Sequence, residues 1–392
     1  MRRVTSLTRA ASVADFRELA RRRLPRMLFE YIDGGSYGEV TLQRNIRDFE
    51  ELSLRQLVMR DMSDLSFSTQ LLGQHLEMPL LLAPVGMAGM YARRGEVQAA
   101  SAAHGAGIPF CLSTVGICSV EEVARGATPP WFQLYILKDR GYMRELLRRA
   151  RAAGSPVLVL TVDLPIPGAR YRDVRSGFRG LTGMAAWLNQ ARDGLTHPHW
   201  LWDVWLQGRP HTLGNVSGAL GPGGSVGDFL TWIAKNFDRS ITWQDFDWIR
   251  AEWDGPIVIK GVLDCADARE ALRIGAQGIV VSNHGGRQLD GVRSSISALP
   301  PIVDAVGADL EILIDSGVRS GLDILKALAL GAKACLIGRP WAYALGAGGE
   351  AGVAKMLATL RAELEVAMVL TGCNSVRSAG RELLDSSRSP SI

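Results

Sequence analysis

Short, strongly apolar runs recur along the chain, each giving way to a stretch in which apolar positions return every three or four residues. The runs are PLLLAPVG (79–86), IPFCLST (108–114), PWFQLYI (130–136), PVLVLTVD (156–163), PIVIKGV (256–262), GIVVSNHG (278–285), EILIDSG (311–317) and ACLIGR (334–339). Between them, segments such as GEVQAASAAHGAG, RGYMRELLRRARAAG and GLDILKALALGA have helical spacing and end in Gly, as a helix C-cap feeding a strand does. Continuous apolar runs are the mark of parallel strands buried on both faces. Eight such β-then-α units predict an α/β fold, a TIM (β/α)8 barrel, with a doubly wound parallel sheet as the alternative. In a barrel the chemistry gathers at the C-terminal ends of the strands. Those ends read Gly86, Ser113–Thr114, Gln133–Tyr135, Thr161–Asp163, Lys260, Ser282–His284, Asp315–Gly317 and Gly338–Arg339. Nearly every polar residue of the runs lies at that one end.

One unit is interrupted. About ninety residues, 164–255, separate the fourth run from the fifth, far more than a βα loop needs. Eight of the ten tryptophans fall there: Trp187, Trp200, Trp202, Trp205, Trp232, Trp243, Trp248 and Trp253. Trp243–Trp253 read as packing residues in a helical lead-in to the fifth strand. The stretch from Phe178 to Trp205 has two readings, a lid with its own small core or a segment that dips into a membrane interface. The chain is therefore expected to be one barrel domain over 1–392, with a Trp-rich insertion over 176–240.

Composition narrows the class. Apolar residues make up 47% and charged ones 21%, so a large core is available and disorder is not expected. The net charge is only +4 and the arginines are scattered, which argues against nucleic-acid binding. Five widely spaced cysteines form no C-x-x-C pair, as suits a reducing compartment. The opening MRRVTSLTRAASVADF has no apolar core, so no secretory leader is expected, and no run reaches the length of a membrane span.

Three places carry candidate chemistry. DSGVRSG and IGRP, after the last two strands, bring glycines with Arg319 and Arg339 to the place where barrels commonly hold phosphate. Neither G-x-G-x-x-G after an early strand nor a P-loop is present, which argues against a nicotinamide or nucleoside triphosphate site. Lys260 ends a buried strand and calls for an anionic partner. In SNHGGRQLD (282–290), His284 offers a general base and Arg287 a carboxylate clamp, the pair that oxidation of a hydroxy acid uses. Asp163 is placed to hold the imidazole, while Arg170, Tyr31 and Tyr135 can complete a pocket for a small anion. The remaining histidines, at 75, 104, 197, 199 and 211, suggest no metal site.

Taken together, LPRMLFEYIDGGS, LAPVGMAGMYARRGE, WFQLYIL, TVDLPIPGARYRD, VIKGVL, SNHGGRQLDG, DSGVRSG and GR resemble the FMN-dependent L-2-hydroxy acid dehydrogenases, from about residue 10 to about 375. That family includes glycolate oxidase, mandelate dehydrogenase and L-lactate dehydrogenases. APVGMAGMYARRGEVQAA, THPHWLWDVWLQGRPHTLGN and DGPIVIKGVLDCADARE look most like its bacterial respiratory branch, which acts on L-lactate. The resemblance implies FMN as cofactor, His284 as catalytic base with Asp163 its partner, and Arg170, Arg287, Tyr31 and Tyr135 on the substrate. It implies FMN contacts from Pro84, Val85, Gly86, Ser113, Gln133, Thr161, Lys260 and Ser282, with Asp315, Gly317, Arg319, Gly338 and Arg339 at the phosphate end.

The resemblance further implies a quinone or cytochrome as electron acceptor, a homo-oligomer, and peripheral attachment to the cytoplasmic face of the inner membrane through the insertion. Where glycolate oxidase has Ala in the turn after the first strand, this chain has Gly86, which leaves oxidase versus dehydrogenase open. No N-terminal extension suggests a fused haem domain. Mandelate, glycolate or another L-2-hydroxy acid is the alternative substrate. The alternative of another class is an FMN-dependent TIM-barrel isomerase, which would have no use for the carboxylate clamp, and a non-catalytic flavin protein would tolerate the loss of His284.

Overall fold

The computed structural model describes residues 6–178, 191–219, 231–232 and 235–385. Trp187 and the GPGGSVG stretch of the insertion lie outside them. Eight parallel strands form the centre: β3 (Leu80–Leu82), β4 (Cys111–Ser113), β5 (Trp131–Tyr135), β6 (Leu158–Thr161), β7 (Ile257–Val262), β8 (Gly278–Val281), β9 (Glu311–Ile314) and β10 (Ala334–Ile337). Each coincides with one of the eight apolar runs. They pair in the order β3-β10-β9-β8-β7-β6-β5-β4, and a parallel bridge from Leu82 to Phe110 brings the first strand against the second. The sheet thus closes on itself as a TIM barrel, and the doubly wound alternative is set aside.

The barrel is packed solid. Leu81, Cys111, Val159, Val258, Val280, Leu313 and Leu336 all belong to one inward-facing cluster, fully or almost fully buried. A short antiparallel hairpin, β1 (Thr69–Leu71) and β2 (Gln74–Leu76), adds Leu71 and Leu76 to it. The hairpin stoppers the N-terminal mouth. Gln74 accepts the indole N–H of Trp131, the first residue of β5, at 3.2 Å, and Glu311, the first of β9, accepts Leu72 N–H at 2.9 Å. With one mouth stoppered, the C-terminal mouth is where a ligand can enter.

Helices clothe the outside, and three precede the barrel: α1 (Val13–Arg23), α2 (Arg26–Asp33) and α3 (Val40–Glu51). Ser12 caps α1 in a capping box with Asp15, and Phe16, Leu19 and Ala20 bury its inner face. The first two pack on the last helix, α12 (Arg339–Thr371), which is interrupted at Gly348–Gly349, and α3 packs on the helix Ser295–Val306. Asp33 is the hub of this packing. Its carboxylate accepts Arg17 (2.5 and 2.8 Å), Arg172 (2.7 Å) and the Tyr343 hydroxyl (2.7 Å). Those contacts hold it well below the usual carboxylate range despite its burial.

In the long segment between β6 and β7, the described residues include α7 (Tyr171–Arg175), a turn at Pro198–Trp200 running into a π-helix at Leu201–Leu206, and a helix at Phe246–Glu252 that leads into β7. Trp200 and Trp253 are buried, whereas Trp202 is 63% and Trp205 40% exposed, beside exposed Leu195 and Leu206. Among the described residues no helix is long and apolar enough to cross a membrane.

Candidate active site

SNHGGRQLD follows β8 and is held from several sides. Asn283 and Asn45 of α3 exchange amide hydrogen bonds at 2.8 and 2.7 Å, both buried. His284, Gly285 and Gly286 all take positive φ (59°, 68° and 70°), so the backbone turns back on itself within three residues. Glycine is required twice here. A Cβ at Gly285 would lie 2.7 Å from the Arg339 guanidinium, and one at Gly286 would lie 2.6 Å from the backbone of Leu42. Asp290 ends the motif by accepting the free N–H groups of Val40 and Thr41 at the start of α3. The motif is thus a turn that ends in a helix cap at Asp290, and both features serve to present His284 and Arg287.

His284 Nδ1 lies 2.9 Å from Asp163 Oδ1, at the end of β6. A carboxylate accepts only, so Nδ1–H donates to it and the Nε2 lone pair is left for the cleft. Enclosure by protein, the dominant influence, holds the imidazole pKa below its ordinary value, although Asp163 pulls the other way. Burial also works against the Asp163 charge, but His284 and then Lys260 outweigh it and keep its pKa low. The result is a neutral imidazole braced by a carboxylate, the state a general base requires.

Two arginines face it. Arg287 donates to the carbonyls of Tyr31 (2.5 Å) and Gly34 (2.8 Å), and its guanidinium lies 4.8 Å from the centre of the Tyr31 ring. Arg170 donates to the Arg287 carbonyl at 3.3 Å and lies 6.0 Å from the same ring. Gln288 staples the two loops together, donating to the carbonyls of Asp163 and Ile166 and accepting Gly168 N–H. Tyr135, at the end of β5, points its ring into the same space, and burial pushes its phenol pKa up, so it remains a hydrogen-bond donor. A small carboxylate fits between the guanidinium groups and the phenols.

The remaining wall is a cradle for a larger group. Lys260, at a bulge near the end of β7, meets Asp315 at 2.7 Å and Ser282 Oγ at 2.9 Å. Burial opposes its charge, but Asp315 and Asp163 hold the ammonium above its ordinary pKa. Arg319 and Arg339 line the cleft with Gly317 and Gly338, and desolvation presses both pKa values down. Neither forms an ion pair with a carboxylate among the described residues. Their measured partners are carbonyls: Val318 for Arg319, and Ile32, Gly34 and Gly285 for Arg339. Two buried guanidinium groups that face one cleft suit an anionic ligand. On the floor, Gln133 Nε2 and Thr161 Oγ1 are buried without a partner, beside Ser113, which donates to Gln133 Oε1 at 3.1 Å. At Gly86 the backbone runs close: a Cβ there would lie 2.7 Å from Val115 Cγ2. These groups line one continuous cleft at the C-terminal mouth of the barrel.

All the residues singled out from sequence come together here. Asp163, Ser113, Gln133 and Ser282 lie behind or beneath the others, and the rest line the cleft. Sequence reasoning missed Tyr91, whose hydroxyl donates to the Gly86 carbonyl at 2.9 Å, and the apolar wall of Val115, Leu164, Pro167 and Phe237. Leu164 and Pro167 stand in the quoted DLPIPGAR stretch and could have been found. Phe237 lies outside any motif, at the far end of the insertion.

The donor set thus fits FMN: unpartnered amide and hydroxyl groups for a flavin ring edge, Lys260 beside it, and two arginines for a phosphate. Comparison with known proteins agrees. Residues 20–386 match the family model described as FMN-dependent dehydrogenase. An L-lactate dehydrogenase of Stenotrophomonas maltophilia is 57% identical over 94% of this chain and 97% of its own length. One of Caulobacter vibrioides is 58% identical over 95% and 97%. Among solved structures, the monotopic membrane protein (S)-mandelate dehydrogenase superposes with a TM-score of 0.90 at 35% identity, covering 96% of this chain and 99% of the other. A mandelate oxidase gives 0.81 at 38%, covering 96% and 98%.

Proposed function

The chain belongs to the FMN-dependent dehydrogenase family, and on that premise we propose that it oxidises L-lactate to pyruvate at the cleft built around His284. The observation that carries the reading is the convergence, at one barrel mouth, of a carboxylate-braced neutral imidazole with two arginines. The bacterial relatives that bear the name L-lactate dehydrogenase support the choice of substrate.

Bound FMN supplies a two-electron acceptor for the pair that leaves C2 of the substrate. Pro84–Gly86, Ser113, Gln133, Thr161, Lys260 and Ser282 would hold its ring, with Asp315, Gly317, Arg319, Gly338 and Arg339 at its phosphate end. Arg170 and Arg287 grip the substrate carboxylate, and Tyr31 and Tyr135 fix its orientation. His284 takes the substrate proton, and Asp163 steadies the imidazolium that forms. Lys260 sets a fixed positive charge beside the cleft, where negative charge accumulates during the reaction. Tyr91 and the apolar wall keep water away from the reacting carbon.

The acceptor downstream is a membrane quinone or cytochrome, reached by peripheral attachment at the cytoplasmic face of the inner membrane through the Trp-rich insertion. Exposed Trp202, Trp205 and Leu206 support that attachment, as does the monotopic mandelate dehydrogenase among the structural relatives. Those relatives also favour a second reading of the substrate, an aromatic 2-hydroxy acid.

The test is direct. The purified protein is mixed anaerobically with a panel of L-2-hydroxy acids while the flavin absorbance is followed. Rapid bleaching by L-lactate and slow recovery in air are expected. Bleaching by mandelate alone would move the substrate, and a flavin that no acid bleaches would end the reading.

A further inference from the structure

The carbon that reacts in an L-2-hydroxy acid carries four groups, and the cleft has a place for each. The carboxylate belongs between Arg170 and Arg287, the hydroxyl at His284, and the hydrogen towards the cradle behind Gly86. The fourth group, the side chain that distinguishes one acid from another, is left with the apolar wall. Val115 and Leu164 come from loops directly after β4 and β6. Phe237 is the largest member of that wall and comes from the returning end of the insertion.

Phe237 is held as a structural element. Its backbone forms an antiparallel bridge with Leu137, with Lys138 N–H donating to the Asn236 carbonyl at 2.8 Å and Asp238 N–H to that of Ile136 at 3.2 Å. Next to it, the Asp238 carboxylate accepts Arg140 at 2.5 Å and Ser240 N–H and Oγ–H at 2.9 and 2.6 Å. The ring is 6% exposed and stands edge-on to Tyr135, with centroids 5.6 Å apart and planes at 89°. To swing away the ring would have to give up its contact with Tyr135, and the backbone that carries it is pinned by the bridge. It therefore works as a fixed stop.

We propose that Phe237 sets the upper size of the substrate side chain, admitting a short alkyl group and refusing a phenyl ring, so that it is a specificity-determining residue of this cleft. The inference rests on the hydroxy-acid reading above and decides between its two substrate classes. Removing the ring opens space of about the size of the side chain excluded. A single methylene group more or less in an apolar pocket shifts discrimination by roughly 10- to 200-fold.

The full-length flavin-loaded enzyme is compared with Phe237→Ala and Phe237→Leu. Two quantities are measured: anaerobic flavin reduction by L-lactate and by (S)-mandelate, and binding of unreactive pyruvate and benzoylformate by the shift each causes in the flavin spectrum. The expected result is that kcat/KM for mandelate relative to lactate rises about tenfold or more in Phe237→Ala, with Phe237→Leu between. Benzoylformate should tighten in parallel.

Ratios within about threefold of wild type in both variants, with normal flavin content, would overturn the proposal. So would a wild-type enzyme that takes mandelate as readily as lactate. Should Phe237→Ala fail to fold, Phe237→Leu and the wild-type ratio still decide. If no 2-hydroxy acid reduces the wild-type flavin, the parent reading falls and this one with it, an outcome told apart because it appears before any variant is made.

Discussion

His284 concentrates the chemistry at the scale of single residues. Its pKa lies below the ordinary histidine value because enclosure outweighs the pull of Asp163. The base form therefore predominates at neutral pH, and protonation removes it on the acid side. Substrate-driven flavin reduction should be flat above about pH 7 and fall tenfold per unit below a midpoint under about 6.5. In Asp163→Asn the raising influence is lost, so the midpoint should move further down while the rate drops. A limb centred above pH 7 in the wild type would contradict the assignment. His284→Gln keeps a polar side chain without a base, and the reductive rate with lactate should fall by about 100-fold or more. Stopped-flow reduction reads both, and a loss under about tenfold would mean that another group takes the proton.

At the scale of elements, every barrel strand was legible as a continuous apolar run, because burial on both faces leaves no polar alternation to confuse the pattern. The strand ends were legible for the converse reason: Lys260, His284 and Asp315 are polar residues at the tips of buried strands, and only a site explains them. The clamp between Gln288 and the Arg170 loop was not legible, since an amide bridging two loops has no spacing in the sequence. Phe237 was hidden for a similar reason, being brought to Tyr135 by a bridge about a hundred residues away in the chain. The insertion was half legible. Of its described tryptophans, Trp200 is buried, Trp202 and Trp205 are exposed and Trp232 lies between, a distinction that the identity of the residues does not reveal. Replacing Trp202, Trp205 and Leu206 together by Ser should cut partition onto anionic vesicles by about tenfold or more. Dye-coupled lactate oxidation should stay near normal. Unchanged co-sedimentation with the vesicles would exclude this face as the attachment surface.

The whole molecule is drawn together at Asp33, where α1, α2, α7 and α12 meet. Its carboxyl is held below the usual range in the fold, so the unfolded chain binds more protons than the folded one at moderately acid pH. The stabilisation is complete above the unfolded carboxyl pKa of about 4 and is lost as pH falls towards the lower folded value. Asp33→Asn would leave Arg17 and Arg172 without their shared anion. Arg17 is 46% exposed, which softens the penalty, so about 3 kcal/mol is expected. Calorimetry should find a lower Tm at pH 7 and a gap between variant and wild type that narrows from pH 5 to pH 3. A gap independent of pH would mean that Asp33 acts through packing alone.

The bridge between Leu137 and Phe237 has a further consequence, for descent and for engineering. The long segment after β6 is fastened near its start, where Tyr37 N–H meets the Ala169 carbonyl at 2.7 Å, and again at that bridge. Arg170 and Arg172, just after the first fastening, belong to the site and to the Asp33 hub, and buried Asn215 accepts Val120 N–H at 2.8 Å and donates to the Ser113 carbonyl at 3.2 Å. The stretch between α7 and Asn215 is therefore the part that can be exchanged as a cassette, because both of its ends are already tied to the barrel.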